Sequence, residues 1–218
     1  MPEWCALVLL VPLILLPIIL LFGFTGCNQI LGLDPTQVAA KTSFEAVLSL
    51  DEDHRNRCVV QRIEPSRLSA SGSKVTITIR RPAAGMLVLR NLFISGASNA
   101  ADPNRDPYDS AADSTPVLTA EMLLAADPAS PTVELPEIDY TLDEAKPLLI
   151  AFDIGAQGAI PRTAMAVPTS DASAYIGPPP PLPQQPVYEA ALADPDGDRQ
   201  SGYNQQTRIY LIERIAVR

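Results

Sequence analysis

The feature that most constrains this chain is a long apolar run near its start. Residues 5–24 contain no Asp, Glu, Lys or Arg. At about 1.5 Å of rise per residue, a helix of this length would cross the ~30 Å hydrocarbon core of a bilayer. Pro12 and Pro17 would kink such a helix. We predict that residues 1–26 are a signal peptide or an uncleaved membrane anchor; a buried core helix is the least favoured interpretation.

A four-residue motif follows the apolar run and indicates how it is processed. Phe24-Thr25-Gly26-Cys27 resembles the lipobox of bacterial lipoproteins, in which an apolar residue, a small residue and Gly or Ala precede a cysteine. The resemblance implies that the thiol of Cys27 carries a diacylglycerol, with cleavage just before this residue. It also implies a polar tether over residues 27–43 and a bacterial cell envelope location, membrane-attached on the extracytoplasmic side. Asn28 would permit export to an outer membrane.

An uncleaved anchor is the alternative, and it fits two features of the same region. The residues before the apolar run include no Lys or Arg, and the run exceeds the 7–15 residues of an ordinary signal core. The protein would then be a single-pass subunit of an envelope complex. Cys27 and Cys58 could form a disulfide in an oxidising compartment. If Cys27 is lipidated instead, Cys58 is predicted to be a small buried residue of a strand.

Alternating apolar and polar residues predict a β fold for the remainder. The clearest case is residues 74–80, where Val75, Ile77 and Ile79 are predicted to face a core. The 22 prolines, roughly twice the average share, argue against a long helical bundle. We predict an antiparallel β-sandwich over residues 44–218. The other strand patterns are at residues 44–51, 57–63, 86–94, 132–135, 148–154 and 209–217, the last with a bulge at Glu213.

Two ambiguous segments allow at most two short helices. Thr115 followed by Pro116 is typical of a helix start, so residues 117–126 could be helix or strand. Residues 187–193 are equally ambiguous. Just before this second segment lies the proline-rich loop 177–186, whose four-proline run favours a polyproline II conformation. A stiff surface connection explains it better than a docking site for a proline-recognising partner.

Residues 63–77 carry a second, shorter resemblance. They are similar to the opening of immunoglobulin-like IPT/TIG domains, in which a strand ending in Ile-x-Pro leads through a glycine-bearing turn into a Val-Thr-Ile strand. Gly72 occupies the expected turn region. The resemblance implies an immunoglobulin-like sandwich and no particular activity.

Charge and composition narrow the function classes. Lys and Arg total 16 against 25 acidic residues, giving a net charge of −9 without a basic run, so nucleic acid is not an expected partner. His54 is the one histidine and is predicted to be exposed in a charged turn, and no G-x-S-x-G elbow is present. We predict a non-enzymatic binding or structural module without a cofactor, and a secreted-side hydrolase is less favoured. The expected partners are the membrane and an envelope protein or glycan.

One loop has a pattern that can bind a hard cation. Asp194, Asp196 and Asp198 occupy alternate positions, and several convergent carboxylate oxygens are what Ca²⁺ prefers. Residues 102–106 repeat a similar pattern. Neither loop completes an EF-hand, because Arg199 and Pro107 stand where that loop requires glycine. Solvated turns, in which Asp, Pro and Gly are favoured, are the simpler explanation.

Overall fold

The computed structural model describes residues 38–97, 108–111, 113–118, 120–156, 162–164, 171–177 and 204–218. The chain divides between Ala39 and Ala40 into two units, and the described strands belong to the second. The predicted membrane-directed segment, Cys27, residues 178–186 of the proline-rich loop and residues 187–193 lie outside the described residues. Within the described part, no helix is both long enough and apolar enough to cross a bilayer.

Strands account for the regular structure of the described residues, apart from one 3₁₀ turn at Pro65–Arg67. The strands are numbered in chain order. They are β1 (Lys41–Glu45), β2 (Leu48–Asp51), β3 (Arg57–Ile63), β4 (Gly72–Arg80), β5 (Met86–Gly96), β6 (Thr115–Leu118), β7 (Met122–Ala125), β8 (Thr132–Glu134), β9 (Ile138–Leu142), β10 (Leu148–Ile154), β11 (Arg162–Ala164), β12 (Ala172–Ile176), β13 (Asn204–Gln206) and β14 (Ile212–Val217).

Two antiparallel sheets contain most of these strands. The five-stranded sheet has the order β1-β14-β4-β8, and β9 also pairs with β4. The seven-stranded sheet has the order β13-β12-β3-β10-β5-β6, and β7 also pairs with β5. Strands β2 and β11 form a separate pair. The prediction of a mainly β, antiparallel, β-sandwich-like fold is confirmed.

One apolar core joins the two sheets. Val75, Ile77 and Ile79 of β4 are buried in it, as their alternation predicts. Ile150 and Phe152 of β10, in the other sheet, belong to the same cluster. Burying a side chain of this size contributes about 1.5–3 kcal/mol relative to leaving it exposed. The shared core is therefore the main contribution that holds the sheets together.

The central strands of the seven-stranded sheet are buried on their second face as well. All seven residues of β10 are buried. Leu149 and Ala151, which alternate with the core residues of β10, join Phe93 and Tyr175 in a second apolar cluster. Cys58 is buried in this cluster, as predicted for a strand residue. Burial on both faces explains why residues 148–152 of β10 form a continuous apolar run.

The ambiguous segment after Pro116 is strand. β6 and β7 both pair with the long β5, so that Pro116 lies opposite Phe93 and Leu124 opposite Leu87. β6 is the last strand in the order of its sheet, and such an edge position tolerates a proline, which has no N–H to donate. Pairing with β5 therefore overrides the local helix-start signal.

Strands β1 and β14 of the five-stranded sheet bear on two details of the sequence pattern. β1 begins at Lys41, three residues before Phe44, where the sequence pattern placed the first strand. The reason is that Lys41 pairs through its backbone with Val217 of β14, which requires no apolar side chain. The predicted bulge at Glu213 is confirmed, because the register between β14 and β4 shifts between Ile212 and Arg214.

A buried glutamine braces a tight turn just before β14. Leu211 has a φ of 63°, which is rare for a branched residue. The N–H of Ile212 donates to the Tyr210 carbonyl at 2.5 Å. From β3, Gln61 donates its Nε2 to the same carbonyl at 2.8 Å, and its Oε1 accepts the Tyr210 N–H. The Gln61 amide thus pairs with both the N–H and the carbonyl of Tyr210, which satisfies these buried backbone groups.

Candidate functional site

A polar pocket lies at one end of the seven-stranded sheet, and we call it the His54 pocket. It has a volume of about 400 Å³, within the range of small-molecule sites. Its walls come from the turn before β3, the first residue of β3, the last residue of β12 and all of β13. The described lining residues are Asp53, His54, Arg57, Ile176, Asn204, Gln205 and Gln206.

His54 is packed into the floor of this pocket. Only 16% of its side chain is exposed, so the prediction of an exposed turn histidine is wrong. Its Nε2 lies 3.4 Å from Oε2 of Glu52, and its ring meets the Tyr210 ring edge-on with centroids 4.6 Å apart. The turn that places it includes Asn56 at a φ of 56°, a conformation that asparagine tolerates. Burial lowers the pKa of His54, which favours the neutral ring.

The Glu52 carboxylate contacts three side chains at the base of the pocket. Its Oε1 lies 2.6 Å from Nη1 of Arg208, and its Oε2 accepts the Tyr210 hydroxyl at 3.0 Å. Burial and the bond to Glu52 raise the pKa of Tyr210, so its hydroxyl remains a neutral donor. Because one carboxylate engages Arg208, Tyr210 and His54 together, the floor is held in one arrangement.

The rim of the pocket carries one acidic residue that is already paired. Arg55 donates Nε and Nη2 to the Asp53 carboxylate at 2.9 and 2.6 Å. These bonds, with the Arg55 N–H, hold the pKa of Asp53 at about 2. Across the pocket, Gln205 donates its Nε2 to Oγ of Ser173 at 3.0 Å. The rim of the pocket therefore consists of polar side chains held in place by hydrogen bonds, and His54 lies at the floor.

A second polar cluster is buried on the other side of β10. Asp153 is fully buried, and its Oδ2 accepts Nδ2 of Asn91 at 2.7 Å. Asn91 has a φ of 49° where the β5 register shifts, which turns its amide towards the carboxyl. Among the described residues, Oδ1 of Asp153 has no hydrogen-bond partner. Burial raises the pKa of Asp153, although hydrogen bonds from Asn91 and Cys58 oppose the rise.

This raised pKa gives a test by substitution. A carboxyl that holds its proton more tightly when folded stabilises the fold below its ordinary pKa of 3.8, and this contribution is lost as the pH rises through the folded value. Asp153→Asn cannot ionise, so its stability should fall less than that of the wild type between pH 4 and 7. Urea unfolding across this range measures the difference.

The matched control is the same change at an exposed aspartate. Asp139 is 85% exposed and is paired with Lys74, and exposed pairs contribute only about 0–1 kcal/mol. Asp139→Asn should therefore follow the wild-type pH profile closely. Parallel wild-type and Asp153→Asn profiles would show that Asp153 is not the group that makes stability depend on pH.

The structure brings Glu52, His54 and Tyr210 together, which the sequence did not predict. The sites predicted from the sequence are not part of the described structure. Cys27, Asp194, Asp196 and Asp198 lie outside the described residues, as does the loop 102–106. In the part of the chain that is described, no three His, Cys, Asp or Glu residues are placed to hold a metal ion. Compared with known proteins, the chain matches no family model and no curated sequence. The His54 pocket is therefore assigned as the candidate site from its shape and its polar side chains alone.

Proposed function

We propose that this protein is a lipid-anchored cell-envelope protein that acts as a non-enzymatic binding or structural module. The observation that carries the proposal is the lipobox-like motif ending in Cys27, directly after a run of apolar residues. Two or three acyl chains on one cysteine give stable membrane attachment, whereas a single chain is marginal. The folded domain would be held on the extracytoplasmic side of a bacterial envelope, at the outer membrane in organisms that have one.

The position of the first strand supports attachment through Cys27. β1 is the first strand of the domain and lies at the edge of the five-stranded sheet. Residues 28–40 separate Cys27 from β1 and reach at most about 45 Å when fully extended. The His54 pocket is built by β3, β12 and β13 of the other sheet. Attachment at β1 therefore does not involve the strands that form the pocket.

The immunoglobulin-like arrangement is part of the same proposal. Strand β3, the turn Pro65–Arg67 and strand β4 follow the strand-turn-strand order that the resemblance implies, and they pass from one sheet to the other. Gly72, which the resemblance places in the turn, is the first residue of β4, where a Cβ would lie 2.5 Å from the Arg218 carbonyl oxygen. The alternative function is an uncleaved, single-pass subunit of an envelope complex with this fold. A secreted-side hydrolase remains the third candidate, with His54 as its base.

Replacing Cys27 tests the anchor directly. Cys27→Ser should abolish both lipid attachment and cleavage, because the hydroxyl is not the acyl acceptor that the lipobox resemblance requires. Intact-mass analysis of membrane-extracted protein measures both. The wild type should have the mass of a chain beginning at Cys27 plus its lipid, whereas the variant should keep residues 1–26 without lipid.

Cys5 provides the matched control, since it lies at the start of the same apolar run. Cys5→Ser should be processed like the wild type. A wild-type protein that retains residues 1–26 without lipid would refute the lipoprotein and favour the uncleaved anchor. Lipid labelling that survives in Cys27→Ser would refute Cys27 as the attachment site.

A further inference from the structure

The lining of the His54 pocket selects for ligands that form hydrogen bonds. Six of its seven described side chains are polar, and Ile176 is the exception. Asn204 and Gln205 are exposed at the mouth, so they meet a ligand without a large rearrangement. A pocket of about 400 Å³ with such walls suits a compact, strongly polar molecule.

Several of these groups have hydrogen-bonding capacity left to use. Nε2 of His54 faces the Glu52 carboxylate, which only accepts, so in the neutral ring the proton lies on Nε2 and Nδ1 is an acceptor. Within the described residues, the side-chain amides of Asn204 and Gln206 have no hydrogen-bond partner. Each amide offers both donors and acceptors. Ligand hydroxyls, which also donate and accept, match this set.

The charged residues around the pocket indicate a second property of the ligand, namely a negative charge. Glu52 is neutralised by Arg208 and Asp53 by Arg55. Arg57, exposed at the mouth, forms no ion pair with any described residue. An arginine guanidinium presents paired N–H groups that match a carboxylate. Among its described residues, the pocket therefore combines hydroxyl-binding groups with one cation that has no ion-pair partner.

We propose that the His54 pocket binds a carbohydrate that carries a carboxylate, as a uronic acid does. In this arrangement Arg57 binds the carboxylate, while Gln206, Asn204 and Nδ1 of His54 bind ring hydroxyls. The inference rests on the proposed function as an envelope binding module, and it specifies the glycan class for which such a module would be used.

Calorimetric titration of the full-length protein tests this inference. The protein is kept in a detergent without a sugar headgroup and titrated with a galacturonic acid trisaccharide, with the neutral galactose trisaccharide and with inorganic phosphate. The uronic trisaccharide should bind about tenfold or more tightly than the neutral one, as expected for a charge-assisted pair. Phosphate, which lacks the ring hydroxyls, should bind weakly.

Variants connect the binding to the pocket. Arg57→Gln should remove most of the preference for the acidic sugar, and Gln206→Ala should weaken binding of both trisaccharides. Arg214→Gln is the charge-matched control, since Arg214 is exposed on β14 and paired with Glu134. It should bind as the wild type does.

The outcomes separate the two proposals. No saturable binding of the uronic trisaccharide by protein whose mass shows a lipidated Cys27 would overturn the pocket proposal and leave the anchor intact. Binding that Arg57→Gln leaves unchanged, or equal binding of phosphate, would also overturn it. Selective binding by protein without lipid on Cys27 would support the pocket and refute the anchor.

Discussion

Ile77→Asp should leave the domain unable to fold. Ile77 is 1% exposed on β4 and lies opposite Ile215 of β14, within the core that joins the two sheets. The substitution removes an apolar side chain, which alone costs about 2–5 kcal/mol. It also buries a carboxylate without a partner, which costs several kcal/mol more. Domains of this kind are stable by only about 5–15 kcal/mol. Circular dichroism and gel filtration should show an unfolded or aggregated chain.

The neighbouring position provides the control. Thr76 is half-buried and opposite Ala216, on the face of β4 that points away from the core. Thr76→Asp introduces the same carboxylate where water can solvate it, so its stability should change by no more than about 1 kcal/mol. A cooperatively folded, β-rich Ile77→Asp protein would refute a core shared by the two sheets.

Gln61→Leu should be the second most damaging of these substitutions. The Tyr210 N–H would lose its only acceptor among the described residues, and the Tyr210 carbonyl would lose one of its two donors. A buried donor without a partner costs about 1–3 kcal/mol. For a domain of this size, such a loss lowers the melting temperature by roughly 2–12 °C. Calorimetry or thermal circular dichroism measures the change.

Gln205→Leu is the control for Gln61→Leu. Gln205 is exposed and its amide makes one hydrogen bond, to Ser173. Gln205→Leu should lower the melting temperature far less, because water can replace that bond. Equal losses from the two variants would show that the Gln61 amide does not brace the turn at Leu211.

Local pattern was sufficient for the strands with the clearest alternation, but it missed β9, where Tyr140 and Leu142 are buried and the residue between them is exposed. The alternation at Val75, Ile77 and Ile79 predicted β4 and the side chains of β4 that face the core. Glu213 indicated the position of the bulge in β14. The short strands β11, β12 and β13 were not predicted, since a few residues carry too little periodicity. Residues 44–51 read as one strand but form β1 and β2, which pair in different sheets. Pairing partners, which the local pattern does not specify, decided that division.

The candidate site was less predictable because its parts are distant in sequence. Gln61 looked like an ordinary polar strand residue, and the partner that makes it buried, Tyr210, lies 149 residues further along. His54 stands in a charged segment typical of an exposed turn, yet the Tyr210 ring covers it. The run of three amides at Asn204 was the one local signal that could have identified a polar pocket wall.

The place of β14 between β1 and β4 has a consequence for how the chain reaches its native state. The ion pair from Arg80 to Glu213, at the junction of β4 and β14, joins residues 133 positions apart. Such distant pairing makes folding slow, because the chain entropy of closing the loop is lost before the contacts form. In any N-terminus-first synthesis or translocation, β1 and β4 emerge long before their shared partner. Their unpaired backbone would then be open to aggregation unless a chaperone shields it until β14 arrives.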